Sequence, residues 1–154
     1  MMTRRVAASV GAIGASTLLI ACAVGSASAS TGDGRRNLGF TNAIDSLAPL
    51  DLGAPGPSAG DQFLVASHIV AGDVTGTTAA SCQVVTTAGA GVRLCEVDFT
   101  LSDGVLTTRG LTNTAQQSVR LVVTGGTGRY AGARGSGTLT PTATGSVVAL
   151  HLSD

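Results

Sequence analysis

The sequence predicts an all-β domain, an eight-stranded antiparallel up-and-down β-barrel, and three observations predict it. The first is composition: the 154 residues include 22 Gly, with only 3% aromatic and 12% charged residues, which favours short strands and turns over helices. The second is a succession of strand-like runs from Gly39 to Leu152, each joined to the next by a turn-prone link. The third is that no segment of this region sustains a 3.6-residue apolar period. Eight antiparallel strands close into a barrel that leaves no exposed edge and can hold one small ligand. On pattern alone a β-sandwich stays open as the alternative.

Residues 1–29 read as an export signal. Arg4 and Arg5 form the positive start, Val6 to Ile20 is an uncharged, mostly apolar stretch, and Ala27-Ser28-Ala29 supplies the small-residue cleavage pattern. The apolar stretch is too short, and too near that pattern, for a retained membrane span. The expected product is secreted. A competing reading uses Leu19-Ile20-Ala21-Cys22, which resembles a bacterial lipobox; lipidation of Cys22 would anchor the protein to the outer face of the cell membrane. Residues 30–38, polar and without apolar period, are expected to form a flexible leader, and residues 39–154 the barrel domain.

In the domain, Phe40, Ile44 and Leu47 have a spacing that suits an irregular strand or one helical turn, and a strand is expected. Pro49 to Asp61 holds three Pro and three Gly, which makes it a long loop of the kind that often carries function over a barrel mouth. Gln62 to Ala71 is apolar on both pleat faces apart from Ser67 and His68, the pattern of a strand covered on both sides, by the core and by a partner subunit. Gly76 to Thr87 and Gly91 to Ser102 form a hairpin about Ala88-Gly89-Ala90-Gly91, which sets Cys82 opposite Cys95. In an exported protein this pair reads as a disulfide. Cys95, Val97, Phe99 and Leu101 share one face of the second strand. Asp103-Gly104 is a turn dipeptide leading to the strand Val105–Leu111. Val119, Leu121 and Val123 alternate with polar residues, and two last strands run over 135–140 and 146–152.

Between them lies the most over-determined stretch, Val122 to Gly137, where six Gly accompany Arg129, Tyr130 and Arg134. Such glycines supply positive φ or admit another backbone, so a tight connection held against a neighbour is expected. Gly126, Gly128 and Gly132 do not have dinucleotide-loop spacing, and no helix follows them.

These residues resemble a known family. Asp51 to Asp61, Cys82, Phe99-Thr100-Leu101-Ser102-Asp103-Gly104 and above all Val123-Thr124-Gly125-Gly126-Thr127-Gly128-Arg129-Tyr130-Ala131-Gly132-Ala133-Arg134-Gly135 are similar to the allene oxide cyclase barrels and their relatives the dirigent proteins, over roughly residues 39 to 152. The resemblance implies an eight-stranded barrel with a central cavity, lipocalin-like in architecture, in which a reactive ligand is held in one folded conformer while it isomerises or closes a ring. It also implies a small hydrophobic or aromatic metabolite as partner, leaves open a homo-oligomer (trimer or dimer), and calls for no cofactor and no metal. Arg134 matches an Arg of the dirigent motif, Tyr130 stands at an aromatic position, and Phe40-Thr41-Asn42 echoes a cyclase tripeptide whose Asn lies near the cavity. The candidate ligand-binding residues are therefore Arg134, Tyr130, His68 and Asn42, and no catalytic residue is assigned. Three have a plainer reading: Arg134 bracing the glycine-rich connection, Tyr130 plugging the core, and His68 as a buried hydrogen-bonded residue.

All nine basic residues are Arg, they are scattered, and the net charge is zero, which excludes a nucleic-acid partner. Without Arg4 and Arg5, seven Arg face nine acidic residues, a formal charge of −2. Three functions stay open: a barrel isomerase or cyclase, a non-catalytic barrel for a hydrophobic ligand, and a structural module of the envelope. An open apolar cavity would favour the first two, and a barrel filled by its own side chains the third.

Overall fold

A computed structural model describes residues 35–153. The expected signal over 1–29, Cys22 within it, and residues 30–34 of the expected leader lie outside the described residues. Eight strands follow in order: β1 (Arg35–Leu50), β2 (Gln62–Gly72), β3 (Gly76–Thr86), β4 (Val92–Leu101), β5 (Gly104–Thr112), β6 (Val119–Gly126), β7 (Arg134–Pro141) and β8 (Gly145–Ser153). Each pairs antiparallel with the next, and β8 pairs with β1, so the sheet is a closed barrel and not a sandwich.

β1 begins at Arg35, inside the span expected as leader. The reason is β8: it runs on to Ser153, and Arg36, Asn37 and Leu38 pair with Leu152, His151 and Leu150, covering an edge that would otherwise be open. The ambiguous spacing of Phe40, Ile44 and Leu47 resolves into a strand with register shifts at Thr41/Asn42 and Ile44/Ser46. Past Ala43, β1 pairs with β2 alone, so Pro49 lies on a stretch with one open edge, where proline is tolerated. The outer face of β2 is uncovered in the monomer: Leu64 is 40% and Val70 52% exposed.

The barrel has two unlike ends. At one, the turns after β2 and β4 and the connection after β6 come together over a dense core in which Phe99, Leu106 and Leu150 are fully buried. Phe40 meets Phe99 edge to face, their ring centroids 5.3 Å apart. The glycine-rich connection closes this end. After β6 it makes a single 3-10 turn, Gly128–Tyr130, which drops Tyr130 into the core at 3% exposure. It is held against the β4–β5 turn: the Thr127 N–H donates to the Val105 carbonyl (2.8 Å), the Arg129 N–H to the Asp103 carbonyl (2.8 Å), and the Arg129 guanidinium reaches the Asp103 carboxylate (3.2 Å). Gly128 sits at φ +60°, and a Cβ there would meet the Asp103 carbonyl oxygen. This carbonyl takes the Arg129 amide, so the glycine is fixed by the contact that holds the connection down.

Candidate functional site

At the other end the inward positions are small. Val65, Ser67, Thr78, Ala80, Cys82, Cys95, Val97 and Thr112 replace the Phe and Leu of the closed half, and they leave a cavity of about 360 Å³ inside the barrel, within the range of small-molecule sites. Its wall carries one polar spot. Asn42 on β1 is 5% exposed; the Ser146 hydroxyl donates to its Oδ1 at 2.6 Å, and its Nδ2 points at Thr78 Oγ1, 3.5 Å away. Ser67 is buried beside them in the lining. Arg93 is the one charged residue among those lining the cavity, which include no carboxylate and no imidazole.

Of the four candidate residues, Asn42 alone lines the cavity. Tyr130 and Arg134 lie at the closed end. Tyr130 belongs to the core there, with the Arg36 guanidinium 5.9 Å over its ring. Arg134 opens β7 opposite Ser153, is exposed, and donates to the carbonyls of Gly132 (3.3 Å) and Ala133 (2.9 Å). It braces the connection, as its plainer reading holds, and does not reach the cavity. His68 is neither buried nor in the lumen. Val65, Ser67 and Ile69 point inward, so the pleat turns His68 outward, where its ring Nδ1 lies 2.7 Å from Asp45 Oδ1 and its side chain is 51% exposed.

Cys82 and Cys95 are register partners on β3 and β4, bonded, with Cα atoms 4.0 Å apart. Both side chains point inward, so the disulfide forms part of the cavity wall. The chain-entropy model gives about 3 kcal/mol for a loop of this length. Reduction, or the pair Cys82→Ala and Cys95→Ala, is therefore expected to lower the unfolding free energy by that amount and to shift the urea midpoint down accordingly; an unchanged midpoint would refute the contribution.

The long loop, residues 51–61, folds beside the cavity mouth around Asp61. That carboxylate accepts from the Ser58 N–H (2.7 Å), the Ser58 hydroxyl (3.1 Å), the Leu52 N–H (3.1 Å) and the Gly53 N–H (3.3 Å). The loop is tied to β3 by Gly60 N–H to the Val84 carbonyl (2.9 Å) and Val84 N–H to the Asp61 carbonyl (2.8 Å). The Ser58 N–H, foremost, holds the Asp61 carboxyl below its ordinary pKa of 3.8; burial opposes this, and the Leu52 N–H, the Ser58 hydroxyl and the Gly53 N–H support it. The sign follows: the stabilisation is complete above pH 3.8 and is lost as pH falls through the lower folded-state value. Urea titrations across that range should show an acid-side loss that is smaller in Asp61→Asn. Parallel acid curves for both proteins would remove Asp61 as its source.

Sequence reasoning missed Ser67, Thr78, Ser146 and Arg93. Ser67 and Thr78 fall in phase with the inward Val65, Ile69 and Ala80, a polar residue in an apolar register, which is the signal that finds them.

A family model described as the allene oxide cyclase barrel like domain matches residues 40–151. Among solved structures, a pyocyanin demethylase is 26% identical with TM-score 0.68, the match covering 77% of this chain and 100% of that one. The Diels–Alderase AbmU from Streptomyces koyangensis is 24% identical with TM-score 0.57, covering 80% of this chain and 69% of that one. A pterocarpan synthase dirigent protein is 12% identical with TM-score 0.57, covering 77% and 91%. At those identities the last two show a shared fold. No curated protein matches the chain.

Proposed function

The chain belongs to the allene oxide cyclase barrel-like family, and from that premise we propose that it is an exported barrel that holds a small hydrophobic metabolite in its lumen and guides an isomerisation or ring closure by fixing the ligand's conformation. The observation that carries this is the half-empty lumen: core side chains fill the closed end, and about 360 Å³ is left at the other. Small inward residues create that space, and the polar spot gives it a direction. The Asn42 amide, fixed by Ser146, and the Ser67 hydroxyl can each donate to an oxygen of the ligand, so an apolar body enters the cavity in one orientation. Restricting a flexible reactant to a near-attack geometry accelerates a unimolecular closure without any proton transfer by the protein. This suits a lining without carboxylate or imidazole. The demethylase, Diels–Alderase and dirigent names attached to similar barrels support a common container serving different chemistry.

The same lining favours a second reading, a barrel that binds its ligand without transforming it. Native mass spectrometry of protein purified from its own culture separates both readings from an empty structural module. A constant adduct of small-molecule mass is expected, and recovery of an unchanged adduct after incubation would favour binding alone. Bare protein that also takes up no aromatic probe would overturn both.

Export rests on the pattern over residues 1–29 and on a disulfide suited to an oxidising compartment. The intact mass of the protein is expected to begin near Ser30. A diacylated Cys22 would replace the released form by an anchored one, and an unprocessed Met1 would defeat export.

A further inference from the structure

We infer that the ligand carries a negative charge, a carboxylate on an otherwise apolar or aromatic body, and that Arg93 receives it at the cavity mouth. This rests on the reading of the lumen as a ligand site. Arg93, at the start of β4, lines both the cavity and the groove beneath the 51–61 loop. Its guanidinium lies over the Phe63 ring, 4.6 Å from the centroid. Stacking occupies a face of the guanidinium plane and leaves the N–H donors at its edge free for an in-plane acceptor.

No acid among the described residues makes an ion pair with it. Among the described residues no carboxylate lies within ion-pair distance of Arg93, whereas Arg109 and Arg129 have Glu96 and Asp103. The two acids that share the groove keep their charge but are turned to the loop and do not contact Arg93: Asp51 accepts from the Gly56 N–H at 3.0 Å, and Asp61 accepts four bonds from Leu52, Gly53 and Ser58. The cavity therefore presents an apolar chamber, an uncharged polar spot in its wall and, at its entrance, one cation that no carboxylate contacts. A neutral ligand would offer that cation at most an uncharged acceptor, while a carboxylate would gain charge-assisted, fork-shaped hydrogen bonds.

The test uses 2-naphthoic acid and its methyl ester as probes, titrated into the protein purified from its own culture at neutral pH. The acid is expected to bind about tenfold or more tightly than the ester, the return on a charge-assisted hydrogen bond. That preference should shrink with added salt and vanish in Arg93→Gln, where acid and ester should bind alike. Arg93→Lys should keep part of the preference, because it keeps the charge without the fork. Equal binding of acid and ester by the unmodified protein overturns the inference and leaves the lumen reading standing, and this comparison needs no variant to fold. A preference that survives in folded Arg93→Gln also overturns it. Binding of neither probe counts against the lumen reading itself.

Discussion

Replacing Ala80 by tryptophan is expected to abolish uptake of a naphthyl probe, a loss of about a hundredfold or more in affinity, while the barrel stays folded. Ala80 lies on β3 between Val65 on β2 and Val97 on β4, with its side chain facing inward. An indole at that position projects into unfilled space, so it displaces ligand and not core. Overpacking, which normally costs about 1–3 kcal/mol in a dense interior, is relieved here by the cavity, and the Tm should hold to within about 5 °C. Its neighbour Ala79 is exposed on the outer face, where it borders a shallow groove with Ser81, Glu96 and Asp98. Ala79→Trp blocks that groove and should leave binding unchanged. Isothermal titration of both variants separates the two faces of one strand: loss in Ala79→Trp with retention in Ala80→Trp would move the site outside the barrel.

Gly128→Val is expected to cost about 4 kcal/mol of stability. About 1–2 kcal/mol comes from forcing a side chain into the left-handed region at φ +60°. The remainder, about 1–3 kcal/mol, comes from driving a branched Cβ into the Asp103 carbonyl and the nearby Gly104 Cα. That collision breaks the bond from the Arg129 N–H and lifts Tyr130 from the core. Thermal unfolding should show a fall in Tm of more than about 10 °C. Gly132→Val is the informative comparison, because Gly132 has φ +80° but nothing within 4 Å of an added Cβ. It should suffer the conformational cost alone. Equal losses in the two variants would show that the contact with the β4–β5 turn contributes nothing.

Much of this architecture was legible because strand faces repeat every second residue. The alternation of Cys95, Val97, Phe99 and Leu101, the Asp103-Gly104 turn and the hairpin that sets Cys82 opposite Cys95 all depend on local rules, and the register agrees with them. The site was far less legible. Arg134 and Tyr130 stood out because the glycines around them are dense, yet density marked a difficult backbone connection at the closed end and not a ligand. His68 drew notice as a polar residue in an apolar run, but within the single chain the outer face of β2 is open, so the apolar residues there did not mark burial in the barrel. Asn42, Thr78, Ser67 and Ser146 come from three strands and the far end of a fourth, joined by closure of the sheet across 104 residues of chain between Asn42 and Ser146. No spacing in the sequence encodes that meeting. Whether the lumen is filled or empty depends on the sum of inward side-chain volumes around a closed ring, which single-strand patterns do not report.

The central claim, an open half-lumen that takes up a small apolar molecule, is tested most directly by a crystal structure of the protein soaked with 2-naphthoate. The account predicts ring density inside the barrel, between Asn42 and Ser146 on one side and the Cys82–Cys95 disulfide on the other, with the closed end unchanged around Phe99 and Tyr130. A lumen collapsed onto its own side chains, or probe density confined to the outer surface, would contradict it.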